Sequence, residues 1–290
     1  MLSLPALPDL LITPVIEAAL REDLGRAGDV TGLACIPPEA RMEARFVARE
    51  AGVLAGAACI RLTVLSLDPK AEVQFCKADG EALAPGDVIA TISGNARALL
   101  SAERVALNLV SHLSGVATLT RRYVEAVVGT RARIAATRKT LPGLRALQKY
   151  AVRCGGGDAH RYGLDDAILI KDNHIAVCGG VEAALRHARA VAGHLMKVEI
   201  EVDTLDQFEA VLPFRPDVIM LDNFTLADLR IAVDRLEAFG RGSIVLEASG
   251  GVNLETVGAI AATGVDVISV GALTHSVKVF DIGLDAGLPA

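Results

Sequence analysis

The chain has 290 residues, of which 52% are hydrophobic and 22% charged, and its formal net charge is −6. That composition excludes a disordered chain and supplies enough apolar residues for one large core or two smaller ones. The negative balance argues against a general nucleic-acid binder, so any cluster of cations is local and suited to a small anion.

The first positive charge is Arg21, and Pro5, Pro8 and Pro14 interrupt the segment before it, which makes a poor secretory leader. No apolar run reaches the ~18 residues of a membrane helix. The cysteines at 35, 59, 76, 154 and 178 are odd in number and scattered, with no C-x-x-C pair. They read as reduced thiols of a cytoplasmic protein, and a structural zinc site is not expected.

Residues 1–115 predict mixed α and β structure. "VTGLACIPPEARMEARFVAREAGVLAGA" alternates like strands between turn signals. In "DGEALAPGDVIATISG", Gly80, Pro85–Gly86 and Gly94 bracket a short strand, Val88–Ile92. Apolar residues then recur at helical spacing through Leu99, Leu100, Val105, Leu107 and Leu109–Val110, predicting one long helix or two broken near Gly115.

From residue 116 to 274 the rhythm changes. Seven short apolar runs recur, most of them separated by helical stretches: Arg133–Thr137, Ala151–Cys154, Ala167–Ile170, Val198–Val202, Val218–Leu221, Ile244–Leu246 and Val267–Val270. Continuous apolar runs suit strands buried on both faces, and alternation with helices implies a parallel sheet. Seven β-α units predict a closed α/β barrel one strand short of the common eight. An open doubly wound sheet is the alternative, although no G-x-G-x-x-G follows the first run.

In either architecture a ligand sits at the carboxyl ends of the strands. The first three runs end in cations: Thr137-Arg138-Lys139, then His160-Arg161 beyond Gly155–Gly157, then Lys171 before Asp172, Asn173 and His174. The fourth carries Glu199 and Glu201, the fifth ends at Asp222–Asn223, and the sixth at Glu247, Ser249, Gly250 and Gly251. The last ends in Gly271, Thr274 and His275. Arg and Lys bind carboxylate and phosphate. Gly-rich turns close backbone N–H groups on a phosphate, and paired carboxylates suit Mg²⁺. Each signal alone has an ordinary explanation: a solvated loop cation, a glutamate that pairs with a lysine, a flexible glycine turn. Their convergence on one rim points to a polyanion with at least two anionic ends and a divalent metal. There is no G-x-S-x-G and no Ser/His/Asp arrangement, so electrostatic positioning is expected in place of a covalent nucleophile.

"TRKTLPGLRALQKYAVRCGGGDAHRYGL" with "LIKDNHI" resembles the quinolinate phosphoribosyltransferase family, and "GDVT", "GVLAG", "ERVALNLVSHLSGVATLT", "EIEVDT", "IMLDNF", "LEASGGV" and "SVGALTHSVKVFDIGLD" agree. The resemblance runs from about Asp29 to the C-terminus. It implies an N-terminal α/β sandwich domain over residues 1–115, joined by 276–290, and a seven-stranded α/β barrel over 116–275 that holds the active site. It also implies transfer of phosphoribosyl from phosphoribosyl pyrophosphate to quinolinate, releasing nicotinate mononucleotide, pyrophosphate and CO₂, with Mg²⁺. Dimers, or assemblies of dimers, are implied as well, the sandwich of one subunit covering the barrel mouth of the other.

Carried over residue by residue, the resemblance gives Arg138, His160 and Arg161, with Thr137 beside them, to the quinolinate carboxylates. Arg104 would reach in from the partner subunit. Lys139 and Lys171 would face the pyrophosphate, and Glu201 and Asp222 the ribose hydroxyls and Mg²⁺. Ser249, Gly250 and Gly251, with Val270, Gly271 and Ala272, would cradle the 5′-phosphate. Two positions depart from the family pattern: Ala136 stands where Asp is frequent, and Ala159 where Asn is frequent. Rival expectations are a related protein associated with molybdenum transport, a nicotinate phosphoribosyltransferase without decarboxylation, and a biotinyl- or lipoyl-type carrier module. The last lacks a lysine at a hairpin tip.

Overall fold

The computed structural model describes residues 5–287. In chain order the strands are β1 (Arg41–Ala48), β2 (Gly52–Val53), β3 (Glu72–Phe75), β4 (Ala82–Leu83), β5 (Val88–Asn95), β6 (Arg133–Ala135), β7 (Ile168–Ile170), β8 (Val198–Val202), β9 (Val218–Asp222), β10 (Val245–Ser249), β11 (Val267–Ser269) and β12 (Ile282–Gly287). The chain divides into two compact units. The first takes the chain up to Arg121, Thr140–Gly156 and the part from Thr274 onward; the second takes Arg122–Lys139 and Gly157–Leu273.

The first unit is built on an antiparallel sheet in the order β12-β1-β5-β3. Its core is a large apolar cluster, with Phe46, Leu54, Ile60, Ile89 and Leu99 inaccessible to solvent. Asp29 of "GDVT" caps the helix Val30–Cys35, its carboxylate accepting from Gly32 N–H at 2.9 Å. That bond holds the half-buried carboxyl below its usual pKa. The predicted helix after residue 95 is a single one, Ala96–Ala126, and passes unbroken through Gly115. Glycine is required there by close approach: a Cβ would stand 2.3 Å from the Lys278 carbonyl oxygen.

One predicted strand is corrected here. Ala151–Cys154 is the last turn of the helix Arg145–Cys154, in which Leu147–Val152 and Cys154 are all buried. A four-residue apolar run cannot distinguish a buried strand from a helix buried on nearly every face.

The second unit is α/β. Its parallel sheet has six strands in the order β6-β11-β10-β9-β8-β7. Asp158, which lies between β6 and β7 in sequence, forms a parallel bridge to Ala135 at the β6 edge. Thr204 and Thr225 cap the helices Leu205–Val211 and Leu226–Phe239, each accepting a backbone N–H three residues on. Along β8, Val198, Ile200 and Val202 are buried, and Glu199 and Glu201 occupy the alternate face. Among the described residues no helix is long and apolar enough to cross a membrane.

Candidate active site

Within the second unit, the carboxyl ends of the parallel strands surround a cavity of about 360 Å³. Its wall has a regular origin. Thr137, Arg138 and Lys139 follow β6 directly, His160 and Arg161 follow the Asp158 bridge, and Lys171 follows β7. Successive side chains of a strand point to opposite faces, so Glu201, the pair Met220 and Asp222, and the pair Glu247 and Ser249 all reach the same interior. A neighbouring cavity of about 500 Å³ shares Arg138, Arg161, Leu169 and Lys171 and adds Leu164, Ala167, Ile168 and His174. Three cations therefore stand between a carboxylate-lined space and one with apolar walls. A shallower concavity of about 260 Å³ on the first unit's sheet mixes Glu43, Arg45, Glu72 and Gln74 and presents no charge of a single sign.

The cations are fixed by local contacts. Lys171 Nζ forms an ion pair with Glu201, so the ordinary role expected for a strand glutamate coexists with its place in the cavity. The Lys171 N–H donates to His174 Nδ1 at 2.9 Å at the start of the helix Asp172–Cys178. Lys139 N–H donates to Thr137 Oγ1 at 3.0 Å, and Asn223 Nδ2 donates to Asp222 at 2.7 Å. Burial, and then the neighbouring charge of Arg138, lower the pKa of Arg161; a guanidinium nonetheless stays charged.

One predicted residue meets two further carboxylates of the strands' inner face: His160 Nε2 is 3.5 Å from Glu199 Oε2 and 3.4 Å from Glu247 Oε1. Both carboxylates are buried. The sequence carried a signal for them, since Glu199 and Glu247 precede Glu201 and Ser249 by two residues and so share their face. Burial works to lower the imidazole pKa, hydrogen bonding to Glu199 and Glu247 and their charge work to raise it, and the Arg161 N–H on Nδ1, which only a neutral ring can accept, opposes protonation. Burial, and then the charge of Glu247, raise the Glu199 carboxyl, against an opposing pull from His160.

The ligand-capable atoms of this trio lie within 4.8 Å of one another. However, Arg161 N–H donates to His160 Nδ1 at 2.8 Å, which makes Nδ1 an acceptor and keeps the proton on Nε2. In this arrangement the Nε2–H faces the two carboxylates. Glu201 and Asp222 are the better donor set: two hard oxygen ligands on adjacent strands of one cavity.

The cavity thus brings together Thr137, Arg138, Lys139, His160, Arg161, Lys171, Glu201, Asp222 and Ser249. Gly250, Gly251, Val270, Gly271 and Ala272 follow the ends of β10 and β11 and are not part of its lining. Val270 is buried and its N–H is already donated to the Ala135 carbonyl at 2.9 Å. Gly250 has φ 93°, and a Cβ there would lie 2.2 Å from Asn223 Oδ1, so only glycine fits the turn. Arg104 belongs to the first unit, on the helix Ala96–Ala126, with 64% of its side chain exposed beside Glu103 at 3.7 Å.

The chain matches the family models for the N-terminal domain of quinolinate phosphoribosyl transferase over residues 29–114 and for its C-terminal domain over 116–285. It is 48% identical to a nicotinate-nucleotide pyrophosphorylase (carboxylating) from Mycobacterium leprae, over 93% of this chain and 95% of that protein. With a probable enzyme of the same name from Bacillus subtilis it shares 46% identity, over 92% and 90% of the two chains. The solved nicotinate-nucleotide pyrophosphorylase from Francisella tularensis superposes with a TM-score of 0.91 at 37% identity, covering 97% of this chain and 98% of that one.

Proposed function

The chain belongs to the quinolinate phosphoribosyltransferase family, and from that premise we propose that it moves phosphoribosyl from phosphoribosyl pyrophosphate to quinolinate with decarboxylation. It is a pentosyltransferase of NAD biosynthesis, and its products are nicotinate mononucleotide, pyrophosphate and CO₂. The observation that carries this conclusion is the single cavity in which Arg138, Lys139, Arg161 and Lys171 face Glu201 and Asp222. A dicarboxylate and a triply phosphorylated sugar repel one another, and such a wall offsets that repulsion. The molybdenum-associated and nicotinate-specific alternatives are not favoured, because the relatives at 48% and 46% identity carry the carboxylating name.

The division of labour follows from the side chains. Arg138 and Arg161, with His160 and Thr137 beside them, hold the quinolinate carboxylates through forked, charge-assisted bonds. Lys139 and Lys171 face the pyrophosphate. Lys171 and Glu201 neutralise one another in the protein alone, and the pyrophosphate oxygens recruit the lysine and leave the glutamate for the ribose hydroxyls. The C1′–oxygen bond breaks with its electron pair on pyrophosphate, and the pyridine nitrogen bonds to C1′. The quaternised ring accepts the electrons of the adjacent C–CO₂⁻ bond, CO₂ departs, and the ring carbon takes a proton. No residue acts as a nucleophile; alignment and charge carry the rate.

Glu201 and Asp222 would hold Mg²⁺, which when bound offsets charge on the diphosphate. Ser249, Gly250 and Gly251, with Gly271 and Ala272, receive the 5′-phosphate, and Val270, expected with them, backs that turn, its N–H being held by Ala135. Arg104 is contributed across the interface of a homodimer or an assembly of dimers; its exposed place on the first unit leaves it available for that. In the domain assignment, 1–115 with 276–290 against 116–275, pairing of β12 with β1 supports the place of the C-terminal segment, whereas Thr140–Gly156 clusters with the first unit. The five free cysteines suit the cytoplasm.

Quinolinate labelled in its 2-carboxyl group, incubated with phosphoribosyl pyrophosphate and Mg²⁺, is expected to release labelled CO₂ in step with nicotinate mononucleotide. Mononucleotide formed without CO₂, or no turnover, refutes the proposal.

A further inference from the structure

Glu199 and Glu247 take no part in the steps above, yet both are buried. Among the described residues Glu199 Oε1 has no hydrogen-bond partner, and Glu247 Oε1 receives only the 3.4 Å approach of His160. Buried carboxylates that are merely left over are costly and are soon replaced by apolar residues. What these two face is the imidazole of a residue in an unusual conformation. His160 has φ 53°, in the left-handed region that side-chain-bearing residues avoid. The next residue is Arg161, whose own N–H is held by His160 Nδ1.

These contacts form one chain: buried carboxylates, imidazole Nε2–H, imidazole Nδ1, the backbone of Arg161, and its guanidinium at the cavity wall. Freed from the carboxylates, residue 160 relaxes to an ordinary φ, and the direction of Arg161 changes with it. We infer that Glu247, assisted by Glu199, is a positioning residue that locks His160 in its left-handed turn and thereby aims Arg161 at the substrate. The inference rests on the cavity being the dicarboxylate site. Two other roles make opposite predictions. Carboxylates that acted only through charge would oppose a dianion, so their removal would tighten its binding. Carboxylates that served only the packing of the sheet would affect both substrates alike.

Glu247 is the residue to change, because Glu199 lies two positions from Glu201. Steady-state kinetics with each substrate varied in turn would compare wild type, Glu247→Ala, Glu247→Gln, Arg161→Ala and the Glu247→Ala/Arg161→Ala double variant. Glu247→Ala is expected to raise the quinolinate KM about tenfold and to leave the phosphoribosyl pyrophosphate KM within about twofold. Gln still accepts the Nε2 proton and is expected to recover most of that loss. The double variant is expected to be no worse than Arg161→Ala, since the tether acts through that arginine. If Glu247→Ala fails to fold, Glu247→Asp, one methylene shorter, carries the same expectation for the two KM values. Tighter quinolinate binding, parallel losses for both substrates, additive losses in the double variant, or no change overturns the inference. A wild type inactive on quinolinate refutes the functional proposal instead, and an active wild type with an unaffected Arg161→Ala variant refutes the positioning role alone.

Discussion

The two units use their sheets in opposite ways. In the first, the sheet and the helices over it meet through a predominantly apolar core, in which Phe46, Ile89 and Ile92 are almost completely buried and no carboxylate is buried among the described residues. In the second, the buried apolar residues of the strands, such as Ile200, Ile219, Leu221 and Leu246, alternate with an inner face that carries Glu199, Glu201, Asp222 and Glu247. One sheet gives its interior to apolar packing and the other lines a charged cavity with it. Mutations in the two interiors should therefore differ in kind.

Phe46→Ala in the first unit should produce the largest loss of stability, about 3–5 kcal/mol from burial and cavity terms. Urea denaturation followed by circular dichroism measures it; a loss below about 1 kcal/mol would remove the contrast. In the second unit, Glu201→Ala and Asp222→Ala should lower turnover by about one to two decades and weaken donor binding. Stability should move by no more than about 1 kcal/mol, because the Lys171–Glu201 pair is partly exposed on its lysine side. Excess EDTA should mimic the activity loss, whereas full activity in EDTA would sink the metal's role. The smallest effect concerns the thiols. Burial pushes the Cys59 and Cys154 pKa values up to about 12, so at pH 8 each is thiolate only to about one part in ten thousand. Cys35 and Cys76 are exposed. A thiol-reactive chromophore with peptide mapping should modify those two quickly and spare Cys59 and Cys154 until the protein unfolds. Equal rates would mean that the first unit's interior is open.

The same contrast explains what the sequence disclosed. The rim was legible because a cation or carboxylate that ends an apolar run has few other places to go: Arg138, Lys139, Lys171, Glu201 and Asp222 all stand at such ends, and all line the cavity. Glu199 and Glu247 were legible as carboxylates of that rim, but their burial and their contact with His160 were not, because spacing along a strand sets the face and not the depth. Asp158 makes one bridge, too short to leave a periodic trace. Ala151–Cys154 was misplaced because four residues are too few to show a period, and the buried Ala151, Val152 and Cys154 at a helix end read like a short strand.

The most direct test of whether the second unit's inner face reads two carboxylates is the ratio of kcat/KM for quinolinate to that for nicotinate, which lacks one of them. Leaving part of the Arg138 and Arg161 cluster unpaired costs several kcal/mol, so nicotinate is expected to be worse by about a hundredfold or more. Comparable values for the two acids would contradict the dicarboxylate assignment.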